Sequence, residues 1–405
     1  MPKSKGSRQK LESTKGTDSS ATKTPCNTAA NSLDVNSSLD YGTLFVERDV
    51  LTPKKLADHI SSACQPDGDA PVKRMPDSIM LQIFGYLCIK TLCRAACVCR
   101  GWNHLVRQKP LWRHVDLSPY KITLPNIRKL VFAYFTDSVR SLSLTGFLQS
   151  VKNTECISDA LLIELGKRCP NLSELCISSA NLSEVDSSKL PPTLSTLKLF
   201  RCNYPMYWLS AAFKKSVFGA LQHLDMSHSN GFGCRDLEVI LEKPLTSLVT
   251  LRLTGCYRVA DRGVGGIVSS CPNLEELGLA RTSLSNEALQ KIGTGLPKLR
   301  TLDLEGTVSK DGVMFDVLHL SSMRNLEELF LTGLDKYSGG VLVGLVNALP
   351  KLKLLTASKD VVSEADVQKM KNVCVMPSEE AQTAWKLNFY PQDKLKKLAA
   401  LQSAT

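Results

Sequence analysis

The sequence predicts an α/β fold in which a small three-helix unit leads into a curved right-handed solenoid, with parallel strands on the concave side and helices on the convex side. Three observations carry that prediction. L-x-x-L-x-L hexamers recur at a near-constant interval over most of the chain, proline-containing tripeptides punctuate the intervals, and the stretch before the first hexamer has helical rather than strand periodicity.

Composition sets the outer bounds. With 405 residues, 43% of them hydrophobic and 22% charged, the chain has enough apolar material for a sizeable core. No run of eighteen apolar residues occurs, and the opening MPKSKGSRQK leads into no secretory core, so the expectation is an intracellular protein of the cytoplasm or nucleus, with no membrane partner. The fourteen cysteines are scattered through apolar segments and read as reduced, buried small hydrophobes. A net charge of +11 raises the question of nucleic acid, but the short basic clusters at Lys54-Lys55, Lys214-Lys215 and Lys394 to Lys397 stand far apart, so no nucleic-acid partner is expected.

Taken in chain order, residues 1–40 are too polar to fold and read as a disordered tail, and 41–73 as a linker with a short element over Thr43 to Ile60. Residues 74–111 follow with a helical pattern. Ile79, Ile83 and Leu87 fall at i, i+4 and i+8, Pro76 and Asp77 stand where a helix starts, and Leu92, Ala95 or Ala96, Cys99, Trp102 and Leu105 or Val106 continue the stripe through two further short helices. About forty residues are too few for a confident core. The unit is therefore expected to lean on a partner or on the first repeat.

Residues 112–376 carry the repeat. Clear hexamers begin at Leu194, Leu221, Leu248, Leu274, Leu299 and Leu326, and looser ones at Trp112, Val139, Leu172 and Leu352; the ten starts are separated by 27, 33, 22, 27, 27, 26, 25, 27 and 26 residues. After each short alternating segment comes a turn, a helical stretch such as Ser158 to Arg168 or Ser285 to Ile292, and then a tripeptide: Cys169-Pro170-Asn171, Cys271-Pro272-Asn273, Leu296-Pro297-Lys298 or Leu349-Pro350-Lys351. Proline there stops the helix and sets the next strand. A single strand-helix unit cannot bury its leucines, so stacked leucine-rich repeats share one continuous core.

Alternation then assigns the faces. With the leucines inward, the concave face carries Thr196, Lys198, Phe200, His223, Asp225, Thr250, Arg252, Glu276, Asp303, Glu305, Glu328, Phe330 and Thr356. Among these, Lys198, Phe200, Asp225, Arg252, Glu276, Asp303, Glu328 and Phe330 are the candidate binding residues for a protein ligand: the two phenylalanines as anchors, and the charges because positive ones come early and negative ones late. Asn372 to Met376 suggests a last strand, and Trp385, Phe389, Tyr390 and the Leu395/Leu398 pair a cap or tail over 377–405.

Met75-Pro76, Ile79, Ile83-Phe84, Tyr86-Leu87, Val98-Cys99, Trp102, Leu105 and Leu111-Trp112 match the pattern L-P-x-x-I-x-x-x-I-F-x-Y-L, V-C-x-x-W-x-x-L and L-W. That stretch resembles an F-box, and placed before the repeats it makes the chain similar to the F-box/leucine-rich-repeat family. The departures are Met75 for leucine, Cys88 where proline often begins the second helix, and Cys97. The resemblance implies a non-catalytic substrate receptor of an SCF-type ubiquitin ligase, whose F-box docks on a Skp-type adaptor and through it a cullin-RING ligase, while the concave face holds the protein to be ubiquitylated. It implies that Pro76, Ile79, Ile83, Leu87, Leu92, Val98 and Trp102 divide between adaptor contact and local core; spacing leaves the division open. The rival reading is a repeat scaffold or regulatory protein that joins no ligase.

Neither metal, cofactor nor catalytic residue is expected. Cys88, Cys93, Cys97 and Cys99 lack the paired C-x2-C spacing of structural zinc sites, the six histidines fall in no nucleophile motif, and Gly263, Gly265 and Gly266 in DRGVGGIV are followed by no G-K-[ST].

Overall fold

The computed structural model describes residues 75–148, 156–215, 218–334, 337, 339–357, 369–370 and 373–377. The tail, the 41–73 linker with its short element, and the cap or tail after Pro377 lie outside the described residues.

Three short helices come first: α1 (Asp77–Gly85), α2 (Ile89–Ala95) and α3 (Arg100–Val106). Pro76 precedes α1 with φ −58°, and Asp77 sets a carboxylate in its first turn, where it faces the positive end of the helix dipole. Cys99 caps α3, its Sγ accepting the Trp102 amide at 3.4 Å. The buried face of α1 is Met80 and Phe84, which leaves Ile79 and Ile83 on the outward side, a division that spacing leaves open. One step along a helix turns the face by about 100°, so both pairs keep i, i+4 spacing and only packing decides between them.

The expected support from the first repeat is concrete. Trp112, at the end of a 3-10 turn (Lys109–Trp112), is fully buried; its Nε1 donates to the Val106 carbonyl at 2.6 Å and its ring stacks on Tyr134 at 4.3 Å. The apolar core runs on from Met80, Phe84 and Leu92 into the repeats without a break.

Each hexamer forms a strand: β1 (His114–Asp116), β2 (Ser141–Thr145), β3 (Glu174–Ser178), β4 (Thr196–Phe200), β5 (His223–Asp225), β6 (Thr250–Arg252), β7 (Glu276–Gly278), β9 (Thr301–Asp303), β11 (Glu328–Phe330) and β12 (Leu354–Ala357). An eleventh, β13 (Cys374–Pro377), adds to β12. These eleven make one all-parallel sheet in the order of the chain. Its register aligns the central leucines: Val115, Leu142, Leu175, Leu197, Leu224, Leu251, Leu277, Leu302, Leu329 and Leu355 pair strand to strand. A slip of one residue would turn every leucine to the open face, which pins the register.

Parallel neighbours need a crossover, and most are helical: α4 (Leu124–Tyr134), α5 (Asp159–Arg168), α6 (Ser210–Lys214), α7 (Cys234–Ile240), α8 (Asp261–Ser270), α9 (Asn286–Gly295) and α10 (Gly339–Ala348). Ser158 and Ser285 cap α5 and α9, accepting the Leu161 and Ala288 amides. Among the described residues, two crossovers depart from the expected helix. The 22-residue interval before β4 has room only for a 3-10 turn (Ser187–Lys189), and after β9 a 3-10 turn (Val317–Leu320) follows short β10 (Val308–Ser309), which pairs with β8 (Ser283–Leu284). Gly312 at φ +67° and the Asp316 cap redirect the chain there.

The tripeptides do more than stop helices. Asn171 and Asn273 donate from Nδ2 to the Asp137 and Thr246 carbonyls of the preceding repeat, and Lys298 and Lys351 donate to Asn273 Oδ1 and Asn325 Oδ1 at 2.6 and 2.7 Å. The DRGVGGIV glycines lie in α8, where a Cβ on Gly263 would stand 2.9 Å from Leu237 Cδ1 of α7; that glycine serves close helix packing.

Seven residues past the start of successive hexamers, the backbone turns left-handed at Ser179, Arg201, His228, Gly255, Arg281, Gly306 and Gly333. The six amides from Ser179 to Gly306 each donate to the next repeat: to Phe200, Ser227, Thr254, Ala280, Glu305 and Thr332 carbonyls. That bond holds the strained conformation rung after rung.

Candidate functional site

Two surfaces take up the expected site residues. On the three-helix unit, Pro76, Ile79 and Ile83 are exposed along α1 and Val98 is 58% exposed in the turn before α3. Tyr86, quoted in the motif but absent from the expected contact residues, is 92% exposed beside them. Its signal was its place at i+3 from Ile83, continuing the outward face of α1. Leu92, expected among the possible contacts, is a core residue at 2% exposure and is corrected to that role. Leu87 and Trp102 are half-buried and pack against the core, Trp102 edge-on to Phe84 at 5.2 Å, so they support the outward face rather than form it.

Cys88 and Cys97 are exposed, whereas Cys93 and Cys99 are half-buried. Cys88 Sγ lies 3.2 Å from Thr91 Oγ1, and that hydrogen bond chiefly holds its thiol down at about 7. Burial pushes the Cys93 thiol up to about 12.

On the concave face the strand residues stand where alternation put them, but several are not free. Lys198 Nζ pairs with Glu174 at 2.7 Å and Arg252 pairs with Glu276, across neighbouring strands. The expected run from positive to negative is thereby corrected: adjacent strands bring the early cations against carboxylates. Asp225 accepts the Ser227 amide at 2.9 Å, and Glu328 accepts the Thr301 hydroxyl at 3.3 Å. Phe200 is half-buried, edge-on to His228 at 5.1 Å, with the Arg201 guanidinium 6.0 Å from its ring centre. Phe330 is half-buried as well.

Asp303 is corrected from an open contact to a buried one, and Glu305 and Thr356 are buried with it. Burial pushes the Asp303 carboxyl up to about 7, with the Glu305 carboxylate adding to it. Burial likewise raises Glu305, whose Oε2 has no hydrogen-bond partner among the described residues. One small residue on β7 sits at the crowded place: Gly278 pairs between Arg252 and Asp303 and leaves no side chain between them.

This geometry meets known proteins at two levels. The F-box-like family profile matches residues 72–118. F-box/LRR-repeat protein 12 of Mus musculus is 32% identical over 288 residues, 69% of this chain and 86% of its own length. The chain belongs to the F-box/LRR-repeat family. The Homo sapiens protein 12 is 33% identical over 267 residues, 65% of this chain and 80% of its own length. Among solved structures, an internalin from Listeria monocytogenes aligns with 65% of this chain and 65% of its own, with a TM-score of 0.40 and 14% identity. For a member of the F-box/LRR-repeat family, α1 to α3 are the F-box, and the outward Ile79, Ile83, Tyr86 and Val98 are F-box residues that the solenoid leaves uncovered.

Proposed function

We propose that the chain is the substrate-recognition subunit of an SCF-type ubiquitin ligase in the cytoplasm or nucleus. Its F-box docks on a Skp-type adaptor, and its concave face holds the protein to be ubiquitylated. The observation that carries this reading is the outward apolar face of the F-box, set on a unit whose inward face is sealed to the first repeat by Trp112. Large apolar side chains at i, i+4 and i+7 on one helix fit the groove of a partner. The chain then acts by proximity, raising the effective concentration of substrate lysines near activated ubiquitin.

Capture of a purified Skp-type adaptor tests it. Wild type is expected to capture the adaptor, and an Ile83→Asp, Val98→Asp double variant to lose at least 90% of that capture while keeping its thermal midpoint, because both side chains are exposed. Failure of the wild type to bind any Skp-type adaptor would leave a repeat scaffold outside the ligase.

A further inference from the structure

The left-handed rungs differ in what they carry. Gly255, Gly306 and Gly333 adopt the conformation freely, yet the same turn is held by Arg201, His228 and Arg281, for which it is strained. Both arginines are exposed, and among the described residues neither has an ion-pair partner. His228 spreads over the rung between them: a Cβ on Gly255 would stand 2.6 Å from its Nδ1, so that glycine makes room for the ring. Glu305 lies in the field of Arg281, but among the described residues no ion pair joins them. Burial, with the fields of Arg281 and Arg201 added and that of Asp225 opposing, also lowers the His228 pKa, so the ring lies in the field of both arginines.

We propose that this rim of the concave face, Arg201, His228 and Arg281 with the Phe200 ring beside them, binds an extended acidic segment of the substrate through its Asp and Glu carboxylates. The inference rests on the substrate-receptor reading. Arg201 and Arg281 stand three strand steps apart, about 14 Å at ordinary sheet spacing. An extended chain covers that distance in about four residues and offers carboxylates on alternate positions. Charge complementarity of this kind sets partner choice and orientation.

The test uses the full chain and fluorescein-labelled decapeptides read by anisotropy: alternating Glu and Val, alternating Lys and Val, and the first with phosphoserine for each Glu. The Glu peptide is expected to bind at least tenfold tighter than the Lys peptide. Arg201→Gly with Arg281→Gly should weaken it at least tenfold while the thermal midpoint stays level or rises, since glycine suits these rungs. In the wild type, the bound Glu peptide should raise the His228 titration midpoint seen by NMR. Equal binding by the double variant, or no preference for Glu over Lys, overturns the proposal; tenfold tighter binding of the phosphoserine peptide overturns the choice of carboxylates. Adaptor capture is read on the same preparation. Its loss with acidic binding intact strikes the receptor reading alone, and the reverse outcome strikes this inference alone.

Discussion

In the F-box, Ile79, Ile83, Tyr86 and Val98 face outward, whereas the nine leucines from Leu142 to Leu355 at the strand centres of the solenoid are all exposed by 1% or less. Both regions use apolar residues at regular spacing. The solenoid closes its pattern with the next copy of itself, strand upon strand. A three-helix unit of some forty residues has two apolar faces, and among the described residues the core that runs on into the first repeat takes one of them, Met80, Phe84 and Leu92. Among the described residues nothing covers the second face.

The largest effect should come from breaking the seam between the two regions. Trp112→Ala removes a fully buried ring, its stack on Tyr134 and its hydrogen bond to Val106, and is expected to cost about 3–5 kcal/mol in urea denaturation. The Ile83→Asp, Val98→Asp variant, by contrast, should leave that curve in place. If both variants unfold alike, the outward face is part of the F-box core and the contrast fails.

Next in size is the buried acid on the concave face. Asp303 has a folded pKa pushed up to about 7, against about 3.9 unfolded, so the folded chain binds its proton more tightly. Its contribution to stability is therefore greatest below pH 4 and falls as pH rises from about 4 to 7, by about 1.4 kcal/mol per pKa unit. Asp303→Asn keeps an acceptor for the Glu305 amide and removes that dependence. It is expected to match wild type near pH 4 and exceed it in stability at pH 8, measured as thermal midpoints across that range. A wild-type stability that rises over the same window would contradict the assignment of burial as the dominant influence.

The smallest effect should come from the ion pairs at the strand starts. Glu327 accepts from Arg300 and Lys353 at 2.7 and 2.6 Å, and these cations hold its carboxyl below the usual range. With the cations well exposed, Glu327→Gln should cost about 0–1 kcal/mol and less in high salt. A larger loss would mean that solenoid stability depends on its charged edge as well as on its leucines.

Much of this was legible because a repeat reports itself. Spacing of 22 to 33 residues, alternation and proline punctuation were enough to place ten strands, their common direction and most of the residues on their open face, though not the burial of Asp303, Glu305 and Thr356. The F-box motif likewise located three helices. Hexamer spacing did not reveal that two crossovers lack a helix, since the same leucines frame a long interval and a short one. The left-handed rungs left a trace only where glycine fills them; Arg201, His228 and Arg281 carry no local mark of that conformation.

By itself the sequence determined the solenoid, because period-two leucines in register have only one way to be buried together. Tertiary structure alone decided which of two i, i+4 pairs on α1 turns outward, since Ile79-Ile83 and Met80-Phe84 have equal claims until Trp102 and the rest of the core cover one of them. It also decided which concave charges remain available. Residues 24 positions apart, Lys198 and Glu174 or Arg252 and Glu276, become neighbours only when strands pair, and a charge that gains a partner there is no longer open to another molecule.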